Sequence, residues 1–120
     1  MTELKRKTLE HYARMTAWAE SKVEEDVRKK RPNSLISLMA MRKGIGEAWT
    51  SEDCPLCTST QGACAQCPIG QHVYAISGNP ATKQDGCYFT PWMKFAECRT
   101  WKDWLYVARQ EVEYLEQLDF

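Results

Sequence analysis

The sequence predicts a mainly α protein: two long terminal helices, two short helices, and a loop-rich cysteine region organised by a metal. Three observations predict it. From Met1 to Arg31 there is no proline or glycine, and apolar residues return at three- and four-residue steps. The same step recurs from Trp101 to Leu118. Between them, residues 44–90 hold most of the Gly, Pro, Ser, Thr and Asn, show no sustained period, and contain five of the six cysteines. An irregular span of that length needs something besides hydrogen-bond ladders to hold its shape. A shared cation would do so.

At 120 residues the chain reads as a single domain, 1–120, with a helical N-terminal part (3–43), a metal-binding loop region (44–90) and C-terminal helices (91–118). An apolar content of 43% with five tryptophans is enough for a core, although chains this short are often marginal without a staple. No apolar run reaches the roughly 20 residues of a membrane span. Met1-Thr2-Glu3-Leu4-Lys5-Arg6-Lys7 has basic residues but no apolar segment after them, which argues against a secretory signal. The expected location is therefore the cytoplasm, where clustered thiols bind metal more often than they pair as disulfides.

Residues 3–30 read as one long helix, with Leu9, Tyr12, Ala13, Thr16, Ala19, Val23 and Val27 as the inward stripe and Met15 and Trp18 widening it. His11 falls off that stripe and reads as a surface residue. Arg31-Pro32 ends the helix, because proline disfavours helical geometry in the residue before it. Asn33 or Ser34 would cap a shorter helix, Leu35 to Arg42, with Leu35, Leu38 and Met39 inward, Met41 a further candidate for that side, and Gly44 and Gly46 stopping it. Val73-Tyr74-Ala75-Ile76 reads as a short strand or one helical turn. Thr90-Pro91 is a helix start, with threonine as cap and proline where its missing N–H costs nothing, so Trp92 to Cys98 is a short helix. Thr100 with Asp103 resembles a capping box. After it, Trp101, Leu105, Ala108, Val112 and Leu115 line the last helix, Trp101–Leu118.

The chemistry lies in Cys54-Pro55-Leu56-Cys57 and Cys64-Ala65-Gln66-Cys67-Pro68, six residues apart, with Cys87 further on. Each Cys-x-x-Cys can turn two sulfurs to one point. The link Thr58–Ala63 is small enough to read as flexible and let the second pair fold back. Four thiolates would then meet at the roughly 2.3 Å sulfur distance of tetrahedral zinc. Either Cys54, Cys57, Cys64 and Cys67 close the site, or Cys87 replaces a member of the second pair. The gap is shorter than the about 15–20 residues of a zinc ribbon, so no strands fit between the pairs. An iron–sulfur cluster is an alternative, since Cys67-Pro68 echoes the end of bacterial ferredoxin runs. A redox dithiol at Cys54/Cys57 is another, although Gly46–Asp53 does not read as the strand that should precede it. His72 is a possible ligand but reads better as a partly exposed loop histidine. Cys98 reads as a small buried hydrophobe.

With two histidines, no Gly-rich phosphate loop and no nucleophile motif, no catalytic set is visible, and the expectation is a non-enzyme. Net charge is zero, but residues 1–43 carry eleven Lys/Arg against six Asp/Glu, and residues 44–120 carry five against ten. That split would let the terminal helices attract each other. It also leaves Arg28, Lys29, Lys30, Arg31, Arg42 and Lys43 as an alternative nucleic-acid surface. Trp18, between Arg14 and Lys22, could stack on a base but reads as core, and Trp49 and Trp92 flank the cysteine region and would shield it.

The order Cys-Pro-Leu-Cys, Cys-x-x-Cys-Pro, then Gly86-Cys87-Tyr88-Phe89-Thr90-Pro91-Trp92 resembles a group of small proteins encoded by bacteriophages and prophages. The resemblance covers roughly residues 49–118 and is carried by Cys54, Cys57, Cys64, Cys67, Cys87, Thr90 and Pro91. The Gly70–Asp85 stretch is long for that group. The resemblance implies a phage-derived protein working inside a bacterial cell and supplies no catalytic residues. The expected function is thus a zinc-stabilised binding protein acting on a host or phage protein, with anti-defence or host takeover as a special case.

Overall fold

The computed structural model describes residues 1–50, 52–61, 63, 66–78 and 90–120. Six α-helices follow one another among these residues: α1 (Glu3–Ser21), α2 (Glu25–Arg28), α3 (Leu35–Ile45), α4 (Pro55–Thr60), α5 (Pro68–Ser77) and α6 (Trp101–Gln117), with a 3-10 segment, Pro91–Glu97, before the last. No strand forms among the described residues, so the fold is mainly α.

The two long helices run antiparallel. The Lys5 ammonium, near the start of α1, donates to the Glu116 and Leu118 carbonyls at the end of α6, where unsatisfied acceptors and the helix dipole both favour a cation. At the other end Trp18 meets Trp101 edge to face, with ring centroids 5.7 Å apart. Thr100 caps α6 as expected, its Oγ1 accepting from the Asp103 amide at 3.1 Å. From that seam the rings continue through Trp104, Phe95 and Trp49 to Trp92, each pair 5.2–6.4 Å apart. Burying rings of this size is worth on the order of 4–6 kcal/mol each by area, before the entropy of ordering them.

The structure corrects several expectations. The first helix does not run to residue 30: α1 ends at Ser21 and the chain turns through Val23 into α2. An unbroken 28-residue helix would span about 42 Å, against about 26 Å for α6, leaving its end with nothing to pack on. The bend is held from outside the helix. Arg28 Nη2 donates to the Ala19 carbonyl at 3.2 Å, and Trp101 Nε1 donates to the Val27 carbonyl at 3.2 Å. The inward face of α1 is also rotated, to Thr8, His11, Tyr12, Met15, Trp18 and Ala19, while Ala13 is exposed. Thr8 can be buried because its hydroxyl donates to the Leu4 carbonyl at 2.7 Å within the same helix.

In α3 the expected apolar side divides: Leu38 packs against the core, but Leu35 and Met39 turn outward. Leu35 is 71% exposed and Met39 59%, whereas Met41 is fully buried. Gly44 does not stop this helix; it lies inside it. A Cβ there would fall 2.3 Å from Trp18 Nε1, so the missing side chain is what lets α3 lie on the Trp18 indole. Gly46, at φ 79°, is the actual stop. Finally, the link after Cys57 is helical as far as Thr60, and residues 73–76, read as a strand or one helical turn, belong to the longer helix α5. Cys54-Pro55, Cys67-Pro68 and Thr90-Pro91 each place proline in the first turn of a helix.

Candidate metal centre

The approach to Cys54 is fixed by a carboxylate. Asp53 Oδ2 accepts from the Ala48 amide at 2.9 Å and from Arg42 Nε of α3 at 3.2 Å. Arg42 Nη2 also donates to Thr50 Oγ1 at 2.9 Å. A second clamp ties the same segment to α1. Glu47 accepts from His11 Nδ1 at 2.6 Å and from Arg14 through both carboxylate oxygens. His11 is therefore core, not surface, and burial holds its pKa below the usual histidine range despite the Glu47 carboxylate beside it.

Cys54 then occupies the N-cap of α4 and Cys57 its first turn, with the buried Leu56 pinning the turn to the body. The two side chains share one turn and bias each other's protonation. The neighbouring Cys54 side chain pulls Cys57 down to about 7, with burial opposing. The Cys57 side chain, with burial, pushes Cys54 well above the ordinary thiol range. Near neutral pH the pair thus presents one sulfur that ionises readily with a second on the same turn, the arrangement a thiophilic cation would bridge.

Cys67 is buried at the N-cap of α5. Cys64 and Cys87 lie outside the described residues. Among the described residues, no three His, Cys, Asp or Glu side chains converge as a metal site. The structure therefore brings Cys54 and Cys57 together, which fits half of a four-thiolate site.

His72 is not a loop residue: it sits in α5, half-buried, in a 2.8 Å hydrogen bond with Tyr114 Oη of α6. That contact fastens α5 to the body. Trp92 Nε1 donates to the Trp49 carbonyl at 3.0 Å and the two rings meet edge to face, joining the 3-10 segment to the chain just ahead of Cys54. Cys98 is buried as expected. Its thiol donates to the Lys94 carbonyl at 3.3 Å, and burial, with Asp103 and Glu97 nearby, pushes it up to about 11.

The basic residues divide. Arg28 holds the α1–α2 bend and Arg42 is bound to Asp53, Glu52 and Thr50. Lys29 pairs with Glu25 at 3.8 Å. Lys30, Arg31 and Lys43 are exposed and have no ion pair among the described residues.

Sequence reasoning missed Glu111, which is 1% exposed in α6. Burial raises its pKa from the ordinary 4.5 to about 7, against the Trp92 amide and Thr90 hydroxyl, which favour the carboxylate. The signal was present: Glu111 stands three residues after Ala108 and four before Leu115, on the inward stripe. No helix among the described residues is long and apolar enough to cross a membrane. No family model, no curated protein and no solved structure matches the chain.

Proposed function

We propose that this chain is a phage-derived, zinc-stabilised binding protein that acts on a host or phage protein inside a bacterial cell, without catalysing a reaction. The observation that carries the metal is the placing of Cys54 at the N-cap of α4 and Cys57 in its first turn, each biasing the other's protonation. In this reading Cys54 and Cys57 hold a zinc ion with two thiolates from Cys64, Cys67 and Cys87. A zinc closed by four protein thiolates has no position left for substrate, so its contribution is to shape. The reading is tested by elemental analysis of protein purified without added metal. About one zinc per chain is expected, lost in Cys54→Ser and Cys57→Ser and kept in Cys98→Ser. Colourless protein excludes an iron–sulfur cluster; metal-free protein that is fully folded overturns the proposal. The binding role is tested by capture from bacterial lysate with metal-loaded bait, where a single stoichiometric protein is expected.

A second reading, a redox dithiol, is favoured by the same pair. One lowered and one raised thiol on the first turn of a helix is also what a thiol–disulfide exchanger presents. Mass spectrometry of the freshly purified protein separates the two. A reversible Cys54–Cys57 disulfide in metal-free protein supports the dithiol, and zinc-protected thiols exclude it. Nucleic-acid binding rests on a reduced set, Lys29, Lys30, Arg31 and Lys43, since Arg28 and Arg42 are engaged in the fold. Absence of salt-sensitive retention on DNA or RNA excludes it.

A further inference from the structure

Most exposed apolar residues of this chain are scattered singly, as on any protein surface. The outer side of α3 differs. Leu35, Ile36 and Met39 are 71%, 55% and 59% exposed, and their i, i+1, i+4 spacing places them side by side. The opposite side of the same helix is seated by Met41 in the core and by the close approach of Gly44 to Trp18. The helix is therefore rigidly held with three aliphatic side chains turned outward. Contiguous apolar surface of this kind marks interaction sites.

The two ends of the strip are basic. Lys43 stands one turn beyond Met39 and is exposed. At the other end, the exposed Arg31 is fixed to the first turn of α3 through its carbonyl, which accepts from the Ser37 hydroxyl at 2.7 Å and the Ser34 amide at 3.0 Å. Neither cation has an ion-pair partner among the described residues, unlike Arg42 on the same helix, which Asp53 and Glu52 neutralise. An isologous contact between two copies through this strip would face like charges across it. A membrane-lying helix would present a broader apolar face with interfacial aromatics. α3 presents three aliphatic side chains over 11 residues and no aromatic.

We infer that the outer side of α3, Leu35, Ile36 and Met39 between Arg31 and Lys43, docks an acidic amphipathic helix of a partner protein. Apolar side chains spaced by three and four in the partner would cover the aliphatic strip, and its Asp and Glu would meet the two cations. This rests on the protein-binding reading and adds where and what the protein binds.

The probe is a labelled synthetic helix with leucines at i, i+3, i+4 and i+7 and glutamates flanking them, set beside a copy with lysine at every glutamate. Anisotropy is read on the zinc-loaded full chain, with methyl NMR shifts of Leu35, Ile36 and Met39 as the map. The acidic peptide is expected to bind at least about tenfold more tightly than the lysine copy. Shifts should centre on those three residues, and Ile36→Ser with Met39→Ser should abolish binding without moving the melting temperature. Equal binding of both peptides, no binding at millimolar peptide, or shifts centred elsewhere overturns the inference. So does a sedimenting dimer that Ile36→Ser/Met39→Ser dissolves, or retention on anionic vesicles lost in the same variant. A captured lysate partner that binds this double variant as well as the parent refutes the docking face while leaving the binding function standing.

Discussion

Replacing Glu111 by glutamine removes a buried ionisable group while keeping its shape. A carboxyl whose pKa is raised in the folded state holds its proton more tightly folded than unfolded. Its contribution to stability is complete below the unfolded value, near 4.5, and is lost as pH climbs through about 7. At about 1.4 kcal/mol per unit, that rise amounts to on the order of 3 kcal/mol by pH 8. This is a large share of the about 5–15 kcal/mol that holds a domain folded. The assay is urea unfolding of the parent and Glu111→Gln at matched metal loading from pH 5 to 8.5. The parent should lose stability relative to the variant across this range, most steeply between pH 5 and 7. The slope of that difference is the test, not its absolute value. An unpaired amide costs about 1–3 kcal/mol at every pH alike. His11, lowered by burial, contributes the opposite trend, its stability falling as pH drops below about 6.5. That trend is common to both proteins and cancels. Parallel profiles for the two would refute the reasoning.

Gly44→Ala should be destabilising. The new Cβ meets Trp18 at 2.3 Å, and overpacking of about 1–3 kcal/mol exceeds the roughly 1 kcal/mol that alanine gains in a helix. Thermal melts of the single variants and of Gly44→Ala with Trp18→Phe should show the smaller ring recovering part of the loss, and strict additivity would count against the contact. Thr100→Ala removes the α6 cap and should cost about 1 kcal/mol in chemical denaturation. Asp53→Asn should lower zinc retention in a chelator competition while Glu52→Gln does not, because only Asp53 holds the Ala48 amide and Arg42 Nε together ahead of Cys54.

The last helix was legible because capping chemistry and apolar period agree there, as they seldom do for residues whose place is decided by distant partners. Period alone misjudged the face of α1. Thr8 and His11 are polar types, and each is buried only because a partner satisfies it: the Leu4 carbonyl for one, Glu47 for the other. Nothing local announces the turn after Ser21, which contains neither Pro nor Gly and is held by Arg28 and by a tryptophan 74 positions from Val27. In α3 the apolar residues were counted without knowing which side Gly44 would press against Trp18. The helices α4 and α5 were hidden by a loop-like composition, although the proline signal read at Thr90-Pro91 also stands at Cys54-Pro55 and Cys67-Pro68. Of the site, the Cys54–Cys57 pairing was readable from spacing. The Asp53–Arg42 clamp behind it was not, because it joins a loop to a helix by charge, which carries no period.

Proline opens both cysteine-led helices, and neither opening uses a sulfur atom as a hydrogen-bond cap. If zinc is held there, coil and grip are written by different atoms at neighbouring positions. Swapping Cys54 or Cys67 for serine would leave each spiral its own way to begin, so circular dichroism in the far ultraviolet should barely register the exchange. Any damage would surface instead in how the two spirals sit against the rest.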